Sequence, residues 1–260
     1  MKYGFCEQAV VPVRSQPGEQ QEMTNQLLFG DLVFVKDSLN DWLLIETSND
    51  NYEGWIDKKQ IQIIDQNIFK DHQKEHPIYS LELCSNAVSE SKKALRLTMG
   101  ARLPNYSNGH FQIKDQLYYF TGNTSNPKEK AGNKQIVQTA QNYLGSPYLW
   151  GGRSPFGIDC SGFTQIVFKM CGKQLQRDAS QQIEQGETVN LLQEAKAADL
   201  AFFENREGNI NHVGILLNNT SIIHASGIVR IDEIDHQGIY NTDTKKYTHQ
   251  LRIIKRILFQ

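Results

Sequence analysis

The chain is 260 residues long and 39% hydrophobic, with 27 basic against 29 acidic residues and a formal net charge of −2. This length exceeds that of the usual single domain, so two or three modules, each with its own core, are expected. Basic pairs such as Lys92-Lys93 and Lys245-Lys246 are too short to neutralise a run of phosphates, which excludes nucleic acid as a partner. No apolar run nears the roughly 18 residues of a membrane span, so no membrane association is expected either.

Met1–Gln8 lacks an apolar stretch long enough for an export signal, and the expected location is cytoplasmic unless a signal has been removed. Short strands are predicted at Ala9–Val13, Leu32–Lys36, Trp42–Glu46 and Glu53–Ile56, separated by Gly, Pro, Asn and Asp clusters in the manner of a small barrel. A looser series follows at Pro77–Tyr79, Leu95–Leu97, Gly100–Leu103 and Leu117–Phe120, consistent with a diverged second copy. The polar stretch Thr121–Asn133 reads as a linker. Helical periodicity then begins at Ile136, Val137, Ala140 and Leu144, and strands return after Asp199. The expected domains are 1–64, 65–125 and 126–260, and the last has an α+β order.

Within the last module, the run Gly151-Gly152-Arg153-Ser154-Pro155-Phe156-Gly157-Ile158-Asp159-Cys160 leads into apolar residues at helical spacing, Phe163, Ile166, Val167, Met170 and Cys171. An amphipathic helix is predicted from Asp159 or Cys160 to near Gly172. Cys160 then sits at a helix N-terminus, where unpaired N–H groups and the macrodipole favour thiolate. In reactive cases this lowers a free pKa of about 8.5 to roughly 3.5–7.5. The other cysteines, Cys6, Cys84 and Cys171, form no spacing typical of zinc or a disulfide framework, so reduced thiols and no metal are expected.

A thiol that attacks an amide needs a base, and that base needs a group to fix its ring. Of seven histidines, His72, His76, His110, His236 and His249 lie in polar surroundings and read as solvated. His212 heads Val213–Leu217 and His224 ends Ser221–Ile223, so both belong to one predicted hairpin. A two-residue turn at Asn218-Asn219 would point the two rings to opposite faces. Closing the hairpin through Leu217-Asn218-Asn219 sets His212 opposite His224, so an odd loop or a bulge is predicted. In that arrangement His212 is the base for Cys160, and His224 holds its far ring nitrogen.

Five blocks in this order, Tyr148-Leu149-Trp150-Gly151-Gly152, Asp159-Cys160-Ser161-Gly162-Phe163, Asp199–Phe203, His212-Val213-Gly214-Ile215 and Ile223-His224-Ala225-Ser226, resemble the NlpC/P60 cysteine peptidases. The resemblance covers roughly Asn133 to Gln260. It implies a reduced papain-like fold, cleavage of cell-wall peptides, Cys160 as nucleophile, His212 as base and His224 as the orienting third residue. It also places Tyr148 near the nucleophile, where its hydroxyl could help stabilise an oxyanion, while Trp150 is read as a substrate contact. Ala198 departs from the pattern, because the family usually has Gly there.

Upstream, Glu22–Asp31, Asp41-Trp42-Leu43 and Tyr52-Glu53-Gly54-Trp55-Ile56 resemble bacterial SH3 (SH3b) domains. The order of modules is similar to the YkfC-like γ-D-glutamyl-L-diamino acid endopeptidases, which carry two such domains. What this implies is cleavage after γ-D-glutamate in murein peptides with a free N-terminal L-Ala, without metal or organic cofactor, as part of wall-peptide recycling. Asp159, Ser161, Glu22 and Tyr52 would meet the free amine. The alternatives are a helix N-cap for Asp159, a solvated loop acid for Glu22 and a turn aromatic for Tyr52. Arg177 or Asp178 would hold the γ-D-glutamyl carboxylate or the diamino acid.

Two rival functions use the same sequence. In one, SH3b modules hold peptidoglycan and the thiol is idle, which the Cys160, His212 and His224 set argues against. In the other, the fold is a thiol acyltransferase or lipid-directed amidase, which the SH3b modules and the lack of a membrane segment disfavour. Whether diaminopimelate or lysine follows the glutamate, and the oligomeric state, are left open.

Overall fold

A computed structural model describes residues 2–114, 116–125 and 132–258, and it divides into two compact units. The first comprises Met1–Glu129 with Trp150–Pro155, and the second Lys130–Leu149 with Phe156–Gln260. Residues 126–131 of the expected linker lie outside the described residues. No helix among the described residues is long and apolar enough to cross a membrane.

The first unit opens with β1 (Lys2–Phe5), β2 (Val10–Arg14), β3 (Met23–Leu28), β4 (Leu32–Leu39), β5 (Trp42–Thr47), β6 (Glu53–Asp57) and β7 (Gln62–Ile64). These form one antiparallel sheet in the order β3-β2-β6-β5-β4-β1-β7. Alternation drives the inward faces of Val11, Val13, Leu27, Val33, Ile45 and Ile56 into a common core. After α1 (Gln66–Lys74) come β8 (Ile78–Tyr79), β9 (Cys84–Ser89), β10 (Ala94–Thr98), β11 (Arg102–Leu103), β12 (His110–Ile113) and β13 (Gln116–Tyr119). β9, β10, β12 and β13 make a four-stranded sheet. A second core joins Phe5 and Leu32 of the first sheet and Phe29 of the β3–β4 turn to Phe69 of α1, to Leu97 and Phe111 of the later strands and to Phe120 just after β13.

The second unit is sheet-rich with few helices, so the expected α+β description fits only roughly. Its helices are α2 (Asn133–Gln141), α3 (Cys160–Met170) and the short α4 (Ala179–Gln182); β14 (Arg153–Ser154) belongs to the Trp150–Pro155 segment of the first unit, and β15 (Gly157–Ile158) precedes α3. Asp159 caps α3 by accepting the Gly162 N–H at 2.6 Å, and every residue of α3 is buried. The main sheet contains β16 (Glu187–Val189), β17 (Leu200–Glu204), β18 (Ile210–Leu216), β19 (Ser221–Ser226), β20 (Ile228–Ile234), β21 (Gly238–Asn241) and β22 (Lys246–Arg256). Its order is β16-β22-β17-β18-β19-β20-β21, and β21 also pairs with β22, so six strands close on themselves. Ala201, Phe203, Leu216, Ile222, Ile234, Ile239 and Ile254 form one core of this sheet. Ala198, just before β17, has a φ of +73°, the left-handed region that a glycine enters without steric cost.

Candidate active site

The hairpin that brings two imidazoles together is β18–β19. Its register pairs Gly214 with His224, Ile215 with Ile223 and Leu216 with Ile222. The loop is odd, as expected, but the expected pairing of His212 with His224 is wrong by two residues. The cause lies in the turn: Leu217 N–H bonds to Ser221 O, so three residues, Asn218-Asn219-Thr220, make the reversal. Asn218 Oδ1 accepts from the Thr220 N–H and hydroxyl, both at 2.8 Å, which sets that turn. His212 is therefore the diagonal neighbour of His224 on the same face. Gly214 stands opposite His224, and a Cβ there would lie 2.9 Å from the His224 Cβ. Glycine at 214 leaves room for the ring.

His212 Nε2 and His224 Nδ1 are 2.9 Å apart, with the rings edge to face. His224 Nε2 in turn lies 3.0 Å from Asp232 Oδ2, and Arg230 donates to Asp232 Oδ1 at 2.8 Å. Burial alone would raise the Asp232 carboxyl, but hydrogen bonds from His224 and Arg230 outweigh it and hold the group below its ordinary value. An ionised Asp232 accepts, so His224 carries its proton on Nε2 and presents a bare Nδ1. His212 must then donate from Nε2, which leaves Nδ1 as its basic nitrogen. Arg230 and Asp232 were missed in the sequence, although Arg230 stands directly opposite His224 and Asp232 lies two residues on, the spacing that shares a strand face.

Cys160 begins α3, and its thiol is hydrogen-bonded by the backbone of Val213, the residue after His212, and of Ser161. Here the expected depression of the thiol fails. Burial pushes Cys160 up to about 12, the Asp159 charge adds to the rise, and the backbone hydrogen bonds and Arg177 only partly oppose it. His212 moves the other way, well below 6.5, because of burial and then its neighbours His249 and His224. Burial thus favours the uncharged form of both groups. Such a pair reacts by passing the proton from sulfur to nitrogen as the carbonyl is attacked.

Arg177, an expected substrate contact, lies inside the second unit. It is 1% exposed and donates to Asp159 Oδ1 at 3.0 Å, to Asp159 Oδ2 at 2.5 Å and to Ser161 Oγ at 2.9 Å. This fork fixes the two residues flanking Cys160. Asp178 is the N-cap of α4, with its backbone N–H bonded to Gln181 Oε1 at 3.1 Å. Tyr148 is half-buried, and its phenol is raised to about 12 by burial, with the Asp159 charge adding to the rise, so it stays a hydrogen-bond donor. In the first unit, Trp150 Nε1 donates to Glu22 Oε1 at 2.8 Å, and the Tyr52 N–H bonds to Thr47 Oγ1 at 2.9 Å.

His249, read as solvated from sequence, is instead half-buried and stacked on His212, with ring centroids 4.1 Å apart. Ring nitrogens of His212, His224 and His249 all lie within 4.8 Å of one another. In stacked rings the in-plane lone pairs run side by side, and His212 Nε2 is turned into His224 Nδ1, so these nitrogens do not converge on a metal. The arrangement suits proton handling.

Comparison with known proteins agrees with this architecture. The NlpC/P60 family model matches residues 145–252, and a bacterial SH3 domain matches residues 9–62. The chain is 30% identical over 215 residues to the gamma-D-glutamyl-L-lysine dipeptidyl-peptidase of Bacillus subtilis, covering 77% of this chain and 71% of that protein. It is 27% identical over 255 residues to dipeptidyl-peptidase 6 of Lysinibacillus sphaericus, covering 88% and 91%. An NlpC/P60 family protein from Bacillus cereus shares the fold, with a TM-score of 0.85 at 20% identity and 98% and 99% of the two chains covered. The chain belongs to the NlpC/P60 family of peptidases, with a bacterial SH3 domain ahead of its NlpC/P60 domain.

Proposed function

We propose that the chain is a cysteine endopeptidase that hydrolyses the bond between γ-D-glutamate and a diamino acid in murein peptides with a free N-terminal L-Ala. The observation that carries this reading is the hydrogen-bonded line His212, His224, Asp232, which leaves Nδ1 of His212 as the base beside the strand residue whose backbone holds the Cys160 thiol. Cys160 Sγ attacks the γ-glutamyl carbonyl while its proton passes to His212. The imidazolium then protonates the departing amine, and water, activated by the same nitrogen, resolves the acyl-enzyme. The backbone N–H of Cys160 and the Tyr148 hydroxyl are the proposed oxyanion donors, a type of contact worth about 3–4 kcal/mol each.

The relatives' names specify a γ-D-glutamyl-L-lysine bond and dipeptidyl release, which supports both the bond and the recognition of a free chain end. Asp159 is the proposed carboxylate for the substrate ammonium, because it is held rigidly beside the nucleophile by Arg177. A free-amine requirement favours peptides already released from the glycan. With it goes a role in recycling in the cytoplasm, which cell fractionation would check.

The test compares L-Ala-γ-D-Glu-diamino acid with its N-acetylated form. Release of L-Ala-γ-D-Glu from the first only, and none by Cys160→Ala, is the expected outcome. Equal cleavage of both would remove amine recognition from the reading, and cleavage by the Cys160→Ala protein would remove the nucleophile.

A further inference from the structure

Asp232 and His224 account for the proton on His212 but not for the plane of its ring. That ring is hemmed by three others. Phe203, its direct partner across β17–β18, lies at 5.7 Å between centroids, His224 at 5.1 Å and His249 at 4.1 Å with only 24° between planes. Phe203 is fully buried and also touches His249 edge to face at 5.9 Å, so the stack has a rigid back wall. His249 reaches this position from β22, where its Nδ1 lies 2.9 Å from Thr248 Oγ1.

We infer that His249 is a positioning residue: its ring covers one face of His212, fixes the plane in which Nδ1 meets the Cys160 thiol, and keeps water from that face. The inference rests on the proposed Cys160–His212 chemistry. It goes further by giving the stacked ring a task. When His212 takes the thiol proton it becomes a cation, and a neutral aromatic face at stacking distance favours that state, whereas a charged neighbour would oppose it. His249 is kept neutral, its pKa lowered to about 4 by burial and then by the nearby His224. The charged and titratable groups around it are His212, His224 and Asp232 on the sheet, and Glu204, Arg206, His236 and Tyr247, which line a cavity of about 630 Å³ that His249 also borders.

The experiment uses the full chain in a Cys84→Ser background, since Cys84 is an exposed free thiol. His249→Ala and His249→Phe are compared with the parent by kcat, KM and the pH profile of kcat/KM on L-Ala-γ-D-Glu-diamino acid, and by the pH profile of Cys160 alkylation with iodoacetamide. His249→Ala is expected to lower kcat on the order of tenfold with KM within about twofold, because the base is misplaced rather than the substrate site. Its acid limb should move to higher pH, as water reaches His212. His249→Phe keeps a covering ring, so it should retain the parental limb and most of kcat.

A His249→Ala protein with parental kcat and limb overturns the inference, and so does a His249→Phe protein as impaired as His249→Ala. If the parent does not cleave the peptide, the functional reading fails, yet alkylation still reports on His212. There, parental and Phe profiles that coincide with the Ala profile displaced support the positioning role, and three coincident profiles overturn it. If His249→Ala does not fold, His249→Gln removes the ring at similar bulk and carries the same expectations.

Discussion

Asp232 Oδ2 lies 3.0 Å from Nε2 of His224, and through that ring it determines which nitrogen of His212 is basic. Arg230 donates to Oδ1 of the same carboxylate at 2.8 Å, so an amide at position 232 would turn its oxygen to Arg230 and its NH2 to His224. His224 would then hold its proton on Nδ1, and His212 would be left with the wrong tautomer. Asp232→Asn is expected to lower kcat/KM on the order of 100-fold, less than the ~10⁴-fold seen when an aspartate touches the base directly, because one ring intervenes. Steady-state kinetics check this, with the unfolding midpoint showing that the fold is retained.

The protonation states set the pH behaviour. Burial raises Cys160 to about 12, and burial with neighbouring rings lowers His212 well below 6.5. The acid limb of kcat/KM should therefore fall below pH 6.5, and Cys160 alkylation should keep rising above pH 8.5 instead of levelling near neutrality. For stability the sign follows from His212 binding its proton more weakly in the fold than in the unfolded chain. Its contribution is complete above about pH 6.5 and is lost as pH falls below that value. His249, lowered to about 4, adds to the loss between those values. Urea midpoints between pH 7 and 4 should fall, and His249→Phe should flatten the slope by up to one proton.

Arg177 holds Asp159 and Ser161 from within the fold, at 1% exposure. Arg177→Met would leave the Asp159 carboxylate, itself buried, without its main cation. The expected cost is about 3–5 kcal/mol of stability, the range for breaking one side of a buried pair. Urea unfolding of the variant checks it. A change under about 1 kcal/mol would mean that the other contacts of Asp159 suffice.

Much of this architecture was legible because local patterns and the fold agree. Alternation gave β2, β4, β5 and β6, and the apolar period after Cys160 gave α3 with Asp159 at its N-cap. Strands β1 and β3 were not read as such, because Tyr3-Gly4-Phe5 is too short and Met23-Thr24-Asn25-Gln26 too polar for a pattern. Asn25 and Gln26 are nevertheless buried there. Cys160, His212 and His224 stand out in the sequence as the proposed set because chemistry restricts which residue types can serve. The pairing of the two histidines was misplaced because parity limits the loop to odd lengths without choosing among them, and the Asn218 side chain makes that choice. His249 was overlooked for a different reason. Its neighbours in sequence are polar, and what buries it is the pairing of β22 with β17 and β21 across the sheet.

Gly238 is where that pairing is most sensitive. It pairs with Gln250 and has a φ of +139°, and a Cβ built there would lie 1.8 Å from the carbonyl oxygen of His249. Backbone cannot yield as a side-chain tip can, so a methyl group must push β22 away at the residue that stacks on His212. Gly238→Ala should cost about 2–3 kcal/mol in stability from the disallowed dihedral and the clash. Because the displaced residue is His249, the surviving folded protein should also lose kcat, with KM nearly unchanged and the acid limb moved upward. Measured below the unfolding transition, a Gly238→Ala protein with full kcat would separate the strand's position from the activity of His212.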